Sequence, residues 1–324
     1  MPLEIGLIGA TGIAARTMLA PATTANAHVR AVAASDAVRA KEFANQHGIE
    51  VVHENYAALL ADPSVEAVYI SLHNSAHHRW AVRAAVAGKH VIVEKPLCLT
   101  AEQVAELEFA ADGTVQVTEA VATANHEWQQ VVRSFIDDGR YGVLRTVRTR
   151  MTFAEPKPGG YRDQPELGGG IFFDCASYWL QAIQATVGLN SETDAVEVTG
   201  ESAFDGPNGV DRSFVASLHW PDGATATLHC ETGPNHLSEH LYEFDQATVK
   251  LRNFLRPVLG AVPLNLVITP TNANREVITF APTAYYERQL TNFVNGTSDL
   301  ADAIPRIELM DAIYADARRR KATP

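Results

Sequence analysis

The chain has 324 residues, 46% apolar and 20% charged, enough for a sizeable core and for two domains, and unlike a disordered or collagen-like sequence. Lys+Arg 26 against Asp+Glu 38 leaves a formal charge of -12, which repels a nucleic-acid backbone and an anionic membrane surface. Cys98, Cys175 and Cys230 are far apart, odd in number and without a Cys-x-x-Cys pair, so they predict neither a disulfide framework nor a structural zinc site and suit a reducing cytoplasm.

The start, Met1-Pro2-Leu3-Glu4-Ile5, lacks the basic and apolar regions of a signal peptide, and no later stretch approaches the roughly 18 uninterrupted apolar residues of a membrane span. The expectation is a cytoplasmic protein with no membrane partner. Leu3–Ile8 reads as a strand that meets the turn Gly9-Ala10-Thr11-Gly12, and the alanine-rich Ile13–Ala20 as a helix. The order then repeats: strand Val29–Ala34, helix Ala37–His47, short strand Val51-Val52, helix Tyr56–Ala61, strand Val65–Leu72, helix Ala76–Ala87 and strand His90–Glu94. Strands alternating with helices at this spacing imply parallel pairing through right-handed crossovers, so residues 1–120 are expected to form a doubly wound, Rossmann-type α/β domain.

After about Glu119 the rhythm changes. A helix at Trp128–Asp137 is followed by longer alternating segments, Val143–Phe153, Ser213–Trp220 and Ala224–Glu231, with hairpin chemistry at Pro221-Asp222-Gly223. Leu264–Ile268 and Glu276–Phe280 add strands, and Tyr285–Val294 and Arg306–Arg320 carry helical patterns. Residues 121–324 therefore read as a second, α+β domain built on an antiparallel sheet.

Four segments hold residues that can do chemistry. A glycine-bearing turn between first strand and first helix lets backbone N–H groups approach a pyrophosphate, while the helix N-terminus adds partial positive charge. The pattern here is Gly9-x-Thr11-Gly12-Ile13-Ala14, with Thr11 where a second glycine ordinarily permits the closest approach, so an ordinary tight turn competes with the phosphate reading. At the end of the second strand, Ala34-Ser35-Asp36 leaves the choice of cofactor open. With Ala34 in register no acid repels a 2′-phosphate and Ser35 can bond it; with the register slipped Asp36 can hold a ribose, or it simply caps the next helix.

The strand that ends in Glu94-Lys95-Pro96 places an ionisable pair at the carboxyl edge of the sheet, where doubly wound folds bind ligands; a surface salt bridge beside a proline turn is the plainer account. Gly168-Gly169-Gly170 opens a helical pattern in which Phe172, Cys175, Trp179 and Ile183 share an apolar face. Asp174, Tyr178 and Gln181 fall on the other face, so Asp174 and Tyr178 can point together into a cleft, and the triple glycine would allow a close backbone approach. A loop followed by an amphipathic core edge accounts for the same residues without chemistry.

Together these segments resemble the Gfo/Idh/MocA family of nicotinamide-dependent oxidoreductases over nearly the whole chain. The resemblance rests on the Gly9 turn, the Ala87-Gly88-Lys89-His90-Val91 run ending in Glu94-Lys95-Pro96, Glu119-Ala120, and Gly168-Gly169-Gly170 followed by Asp174 and Tyr178. It implies a Rossmann domain, a C-terminal open and mostly antiparallel sheet that commonly makes subunit contacts, and an active site between the domains. It further implies NADP or NAD as cofactor, NADP being slightly favoured, and a homodimer or homotetramer. The cofactor residues carried over are Gly9, Thr11, Gly12, Ile13, Ala34, Ser35, Leu72, His73, Asn74, His77, Glu94, Lys95 and Arg162.

Lys95 is expected near the nicotinamide and the substrate hydroxyl, with Asp174 orienting the substrate. Tyr178 stands where most members have histidine, as in the subset resembling glucose-fructose oxidoreductase, dihydrodiol dehydrogenase and deoxysugar ketoreductases. Hydride delivery to a carbonyl carbon creates an alkoxide that needs a proton donor within reach, and a phenol titrating near 10 is a usable acid beside an ammonium. Thr11, His73 in place of a proline, Ala124 in place of an arginine and Tyr161 in place of a tryptophan depart from the family pattern. The expected substrate is a polyol or ketosugar, that is, a sugar, cyclitol or related compound; a dihydrodiol or other non-sugar alcohol, or a non-catalytic cofactor-sensing regulator, are the alternatives. His73, His77 and His78 offer a possible i, i+4 ligand pair, yet no neighbouring carboxylate or cysteine in the sequence completes a set, so no metal is expected.

Overall fold

In the computed structural model, which describes residues 1–189, 196–297 and 300–322, the chain divides into two units. Met1–Ala122 with Tyr285–Ile307 form the first; Thr123–Ala284 with Glu308–Pro324 form the second.

The first unit begins with β1 (Leu3–Ile8) and a continuous helical stretch: α1 (Gly12–Ala14), a π-helical turn (Ala15–Leu19) and α2 (Ala20–Ala22). It continues through β2 (Ala27–Ala33), α3 (Ala37–His47), β3 (Val51–Val52), α4 (Tyr56–Ala61), β4 (Ala67–Ile70), α5 (Asn74–Val86), β5 (His90–Glu94), α6 (Ala101–Ala111) and β6 (Val117–Ala120). All pairings are parallel, in the order β3-β2-β1-β4-β5-β6. The order reverses between β1 and β4, the switch point at which open α/β sheets bind ligands beyond their strand ends. Unbroken apolar runs such as Ala67–Ile70, buried at every position, are what a parallel strand covered on both faces requires.

Sequence alone assigns Tyr285–Ile307 to a second domain spanning 121–324; the structure packs this segment with the first unit instead. Leu290 and Phe293 of α9 (Tyr285–Val294) join Ile5, Leu7, Tyr69 and Ile92 in one apolar cluster. An amphipathic stripe predicts that a helix buries one face but does not say against which core.

The second unit holds α7 (Glu127–Asp137), β7 (Leu144–Phe153), α8 (Ile171–Thr186), β8 (Glu197–Glu201), β9 (Ser213–His219), β10 (Thr225–Thr232), β11 (Leu237–Phe244), β12 (Ala247–Arg252), β13 (Val262–Pro270) and β14 (Glu276–Thr283). The last helix, α10 (Ile304–Ala322), runs across the division of the chain. The eight strands pair in the order β14-β13-β12-β11-β7-β10-β9-β8, antiparallel except for β7 with β10. The hairpin expected at Pro221-Asp222-Gly223 joins β9 to β10, with Gly223 at φ +89° and Ala224 N bonded to Asp222 Oδ1 at 2.9 Å. No described helix is long and apolar enough to cross a membrane.

Candidate active site

Gly9 leaves β1 at φ +115°, and a Cβ there would stand 2.7 Å from the Ser71 carbonyl oxygen, so no other residue fits this turn. Thr11, where a glycine is expected, turns its hydroxyl inward. Its Oγ1 lies 2.8 Å from Ser71 Oγ and accepts from Ala14 N at 3.2 Å, capping the helix. A Cβ on Gly12 would meet nothing within 4 Å. The opening of this helix thus presents a smooth face at Gly12 and Ile13, and the turn fits a pyrophosphate despite the threonine.

At the end of β2 Asp36 serves as a helix cap. Its Oδ1 accepts from Val38 N at 2.8 Å and Arg39 N at 3.0 Å, which caps α3 and holds its carboxyl below the ordinary range. Ser35 receives the Arg39 guanidinium at 3.0 Å and also bonds Tyr56, the first residue of α4. Arg39 is a residue that sequence reasoning missed; its spacing of four from Ser35, inside the first turn of α3, was the available signal. A hydroxyl and a guanidinium beside the ribose position fit a 2′-phosphate.

The turn after β4 and the turn after β5 are tied together by His77. This buried ring places Nδ1 2.8 Å from the Pro96 carbonyl oxygen and Nε2 3.2 Å from that of Leu72. Burial pushes its pKa down to about 4, so the neutral ring donates through one nitrogen, the shorter contact favouring Nδ1. His73 precedes Asn74, the buried first residue of α5, and its own Nδ1 lies 3.0 Å from Ser75 Oγ. His78 pairs with Glu106 at 3.1 Å, and no group of three potential metal ligands comes together among the described residues. Lys95 follows β5 next to the cis peptide bond to Pro96, within electrostatic range of Glu94, His77 and Tyr286. Glu119 of β6 reaches the same segment, its Oε1 accepting from Leu97 N at 3.4 Å.

In the second unit, α8 carries Asp174 and Tyr178 one turn apart. Phe172, Cys175, Trp179 and Ile183 are fully buried on the apolar face, as their spacing predicts. Gln181 does not join Asp174 and Tyr178; it is buried, and its Oε1 accepts from Gln129 Nε2 of α7 at 2.9 Å. The triple glycine also has a different use from the one its sequence suggests. A Cβ on Gly169 would stand 2.7 Å from the carbonyl oxygens of Tyr161 and Arg162, and one on Gly170, at φ +108°, would collide with the Asp211 carboxylate. The close approach is by the protein's own loop and by Asp211, whose Oδ2 accepts from Phe172 N at 2.7 Å at the start of α8. Burial pushes the Asp211 carboxyl up to about 6.

That loop delivers Arg162. Its Nε and Nη2 donate to the two oxygens of Asp174 at 2.5 and 3.0 Å, a bidentate pair, and its guanidinium stacks over the Tyr161 ring at 4.6 Å. Burial opposes the charge on Arg162, but Asp174 outweighs it and raises the pKa further; Tyr178 lies within the same electrostatic reach. Asp163 anchors the loop, accepting from Gly159 N at 2.7 Å and Arg212 Nη2 at 2.6 Å. Nothing in the local sequence marks Asp163 or Asp211 for these roles, since Arg212 and Phe172, the partners that give them, are distant in the chain. Lys95 thus belongs to the first unit and Arg162, Asp174 and Tyr178 to the second.

Known proteins match both halves. Residues 3–120 match the model of an oxidoreductase family with an NAD-binding Rossmann fold, and residues 129–243 the C-terminal domain of the same family. The chain is 28% identical to D-xylose 1-dehydrogenase (NADP(+)) 2 of Haloferax volcanii over 327 residues, covering 97% of each chain. It is 31% identical over 291 residues to dTDP-3,4-didehydro-2,6-dideoxy-alpha-D-glucose 3-reductase of Actinomadura kijaniata, covering 89% of this chain and 80% of that one. The fold is similar to the crystal structure of the 3-ketoreductase KijD10 from Actinomadura kijaniata with NADP and TDP-benzene, with a TM-score of 0.86 at 23% identity and 98% coverage of each chain. The two family models match in succession along the chain, and the chain belongs to the Gfo/Idh/MocA family of oxidoreductases, with an NAD-binding Rossmann domain at its N-terminal end.

Proposed function

We propose that this enzyme interconverts a hydroxyl and a ketone on a sugar, cyclitol or related polyol, with NADP preferred over NAD. The observation that carries the reading is the cluster on α8: Tyr178 one turn from Asp174, with Arg162 paired to the carboxylate and in electrostatic reach of the phenol. The xylose dehydrogenase and the ketosugar reductase, both named for chemistry on sugars, support the substrate class. Ser35 and Arg39 at the end of β2, with Asp36 engaged as a helix cap, support the preference for the phosphorylated cofactor.

The dinucleotide, when bound, supplies or accepts the hydride at the substrate carbon. Gly9, Thr11, Gly12 and Ile13 would hold its pyrophosphate; Ala34, Ser35 and Arg39 its adenosine ribose and 2′-phosphate; Leu72, His73, Asn74, Glu94, Lys95 and Arg162 the remainder, while His77, buried with both ring nitrogens on backbone carbonyls, would position the turns that carry Leu72 and Pro96 and not touch the cofactor, contrary to the expectation from the sequence. In reduction, Tyr178 gives its phenolic proton to the substrate oxygen as negative charge develops there. Lys95 polarises that oxygen, an effect of the kind worth several kcal/mol where water is excluded. Asp174 accepts a substrate hydroxyl and keeps Arg162 in one orientation. Charge left on the Tyr178 oxygen after proton transfer is stabilised by the Arg162 guanidinium.

The test is a spectrophotometric screen of ketosugars, polyols and dihydrodiols with NADPH and NADH, run on the wild type and on Lys95→Met and Tyr178→Phe. Turnover of a sugar with NADPH, lost in both variants, supports the reading. Normal turnover by both variants removes its mechanism, and turnover of dihydrodiols alone replaces its substrate. We also propose a cytoplasmic homodimer or homotetramer, in keeping with three buried free cysteines and an eight-stranded open sheet; light scattering on the purified protein tests the assembly.

A further inference from the structure

Lys95 needs its positive charge to polarise an oxygen, and its chain neighbour Glu94, within electrostatic range, is a source of the opposite charge. Burial, however, works against a carboxylate at this strand end. On the neighbouring strand, Tyr69 of β4 stands opposite Ile92 of β5, so strand alternation places its side chain on the same face as Ile92 and Glu94. The Tyr69 ring is fully buried, and its hydroxyl donates to Glu94 Oε1 at 2.5 Å. Other elements packed here also address the pair. Arg16 of the π-helical turn, Tyr286 of α9 and Lys95 itself lie within electrostatic range of Glu94, and Thr17 bonds Tyr69. Burial, Glu94 and Tyr286 hold the Tyr69 phenol well above its ordinary range, which keeps it a donor. Burial likewise raises Glu94, while the Tyr69 bond, Lys95 and Arg16 pull it back.

We propose that Tyr69 is a positioning residue for the reaction: its hydroxyl fixes Glu94 beside Lys95 as the carboxylate partner of the ammonium. The inference rests on the reading of Lys95 as the group that polarises the substrate oxygen. Phenylalanine at 69 keeps the packed ring and removes the one atom that matters. Glu94 then loses a hydrogen bond to its charged form, and its protonation moves upward by about one to two pH units. Because the carboxylate is the competent form, the acidic limb of kcat/KM moves upward with it.

The experiment has two readouts. The Glu94 carboxyl carbon is followed by NMR against pH in cofactor-free protein carrying [5-13C]glutamate, with the resonance assigned by Glu94→Gln. The pH profile of kcat/KM is measured alongside. A higher Glu94 midpoint in Tyr69→Phe, with the acidic limb displaced by a similar amount, is the expected result. An unmoved midpoint, or a moved midpoint with an unmoved limb, overturns the proposal and leaves Tyr69 a packing residue. If Tyr69→Phe does not fold, 3-fluorotyrosine at 69, a stronger donor, is expected to lower the midpoint, and no change overturns the proposal. A displaced midpoint in a protein that turns over no alcohol or ketone would uphold the Tyr69–Glu94 pair while refuting the function proposed above.

Discussion

Replacing Arg306 with methionine removes a buried cation paired with Glu119 inside the first unit. The two side chains are 8% and 1% exposed, with Arg306 Nη2 donating to Glu119 Oε2 at 2.8 Å. Stripping one partner from a pair this deep removes a buried attraction while the other charge stays buried, a loss of about 3–5 kcal/mol. The intact pair is much less favourable than that figure suggests, because most of its attraction offsets the desolvation of both groups. Glu119→Gln combined with Arg306→Met is therefore expected to lie closer to the wild type than Arg306→Met alone. Urea unfolding of the four proteins, followed by far-ultraviolet circular dichroism and tryptophan fluorescence with each transition fitted separately, measures the cycle. The Leu97 amide that reaches Glu119 lies two residues from Lys95, so Arg306→Met should also lower kcat. An Arg306→Met protein within about 1 kcal/mol of the wild type, or a cycle in which the two changes simply add, would refute the reasoning.

Gly12→Ala should leave the melting temperature of the cofactor-free protein unchanged or slightly higher, since its Cβ meets nothing, while calorimetry shows NADPH binding weakened by about tenfold or more. Gly170→Ala should do the reverse of the first part, destabilising the fold by about 1–3 kcal/mol or more in a thermal melt, because its φ of +108° and Asp211 both oppose a side chain. Arg39→Ala should weaken NADPH by about tenfold and leave NADH unchanged in the same titration, tenfold being the low end for a charge-assisted bond because Arg39 is exposed. His240, buried against Thr149 and Phe254, has its pKa pushed down to about 3. Its contribution is full above the ordinary histidine value of 6.5 and is lost as pH falls toward 3, so His240→Phe should flatten the decline in urea midpoint between about pH 7 and 4.

Much of the first unit is legible in the sequence because short apolar runs ending in glycine or charge, alternating with helical periods, allow few topologies. The helix of Tyr285–Val294 is visible too, but its attachment to the Rossmann core is not, since a long-range contact leaves no local pattern. The same limit applies to chemistry. Gly9, Lys95, Asp174 and Tyr178 stand out by spacing, whereas Tyr69 reads as one more aromatic in a buried strand until its neighbour across the sheet is known. Asp36 offers the opposite case: a cap and a ribose ligand use the same residue type, and the capping role shows only in the two amide bonds at 2.8 and 3.0 Å. Strand β11 is hidden by polar residues at buried positions, Ser238, Glu239 and His240 in succession, which break the alternation a strand is recognised by.

Tyr178 is the proposed proton donor in sugar reduction. The most direct measurement compares single-turnover NADPH oxidation by the wild type and Tyr178→Phe with the ketosugar found by the screen, together with the NADPH dissociation constant of each. Tyr178→Phe is expected to lower the rate by about 10²- to 10⁴-fold with cofactor affinity unchanged. Equal rates, or a loss explained wholly by weaker cofactor binding, would contradict it.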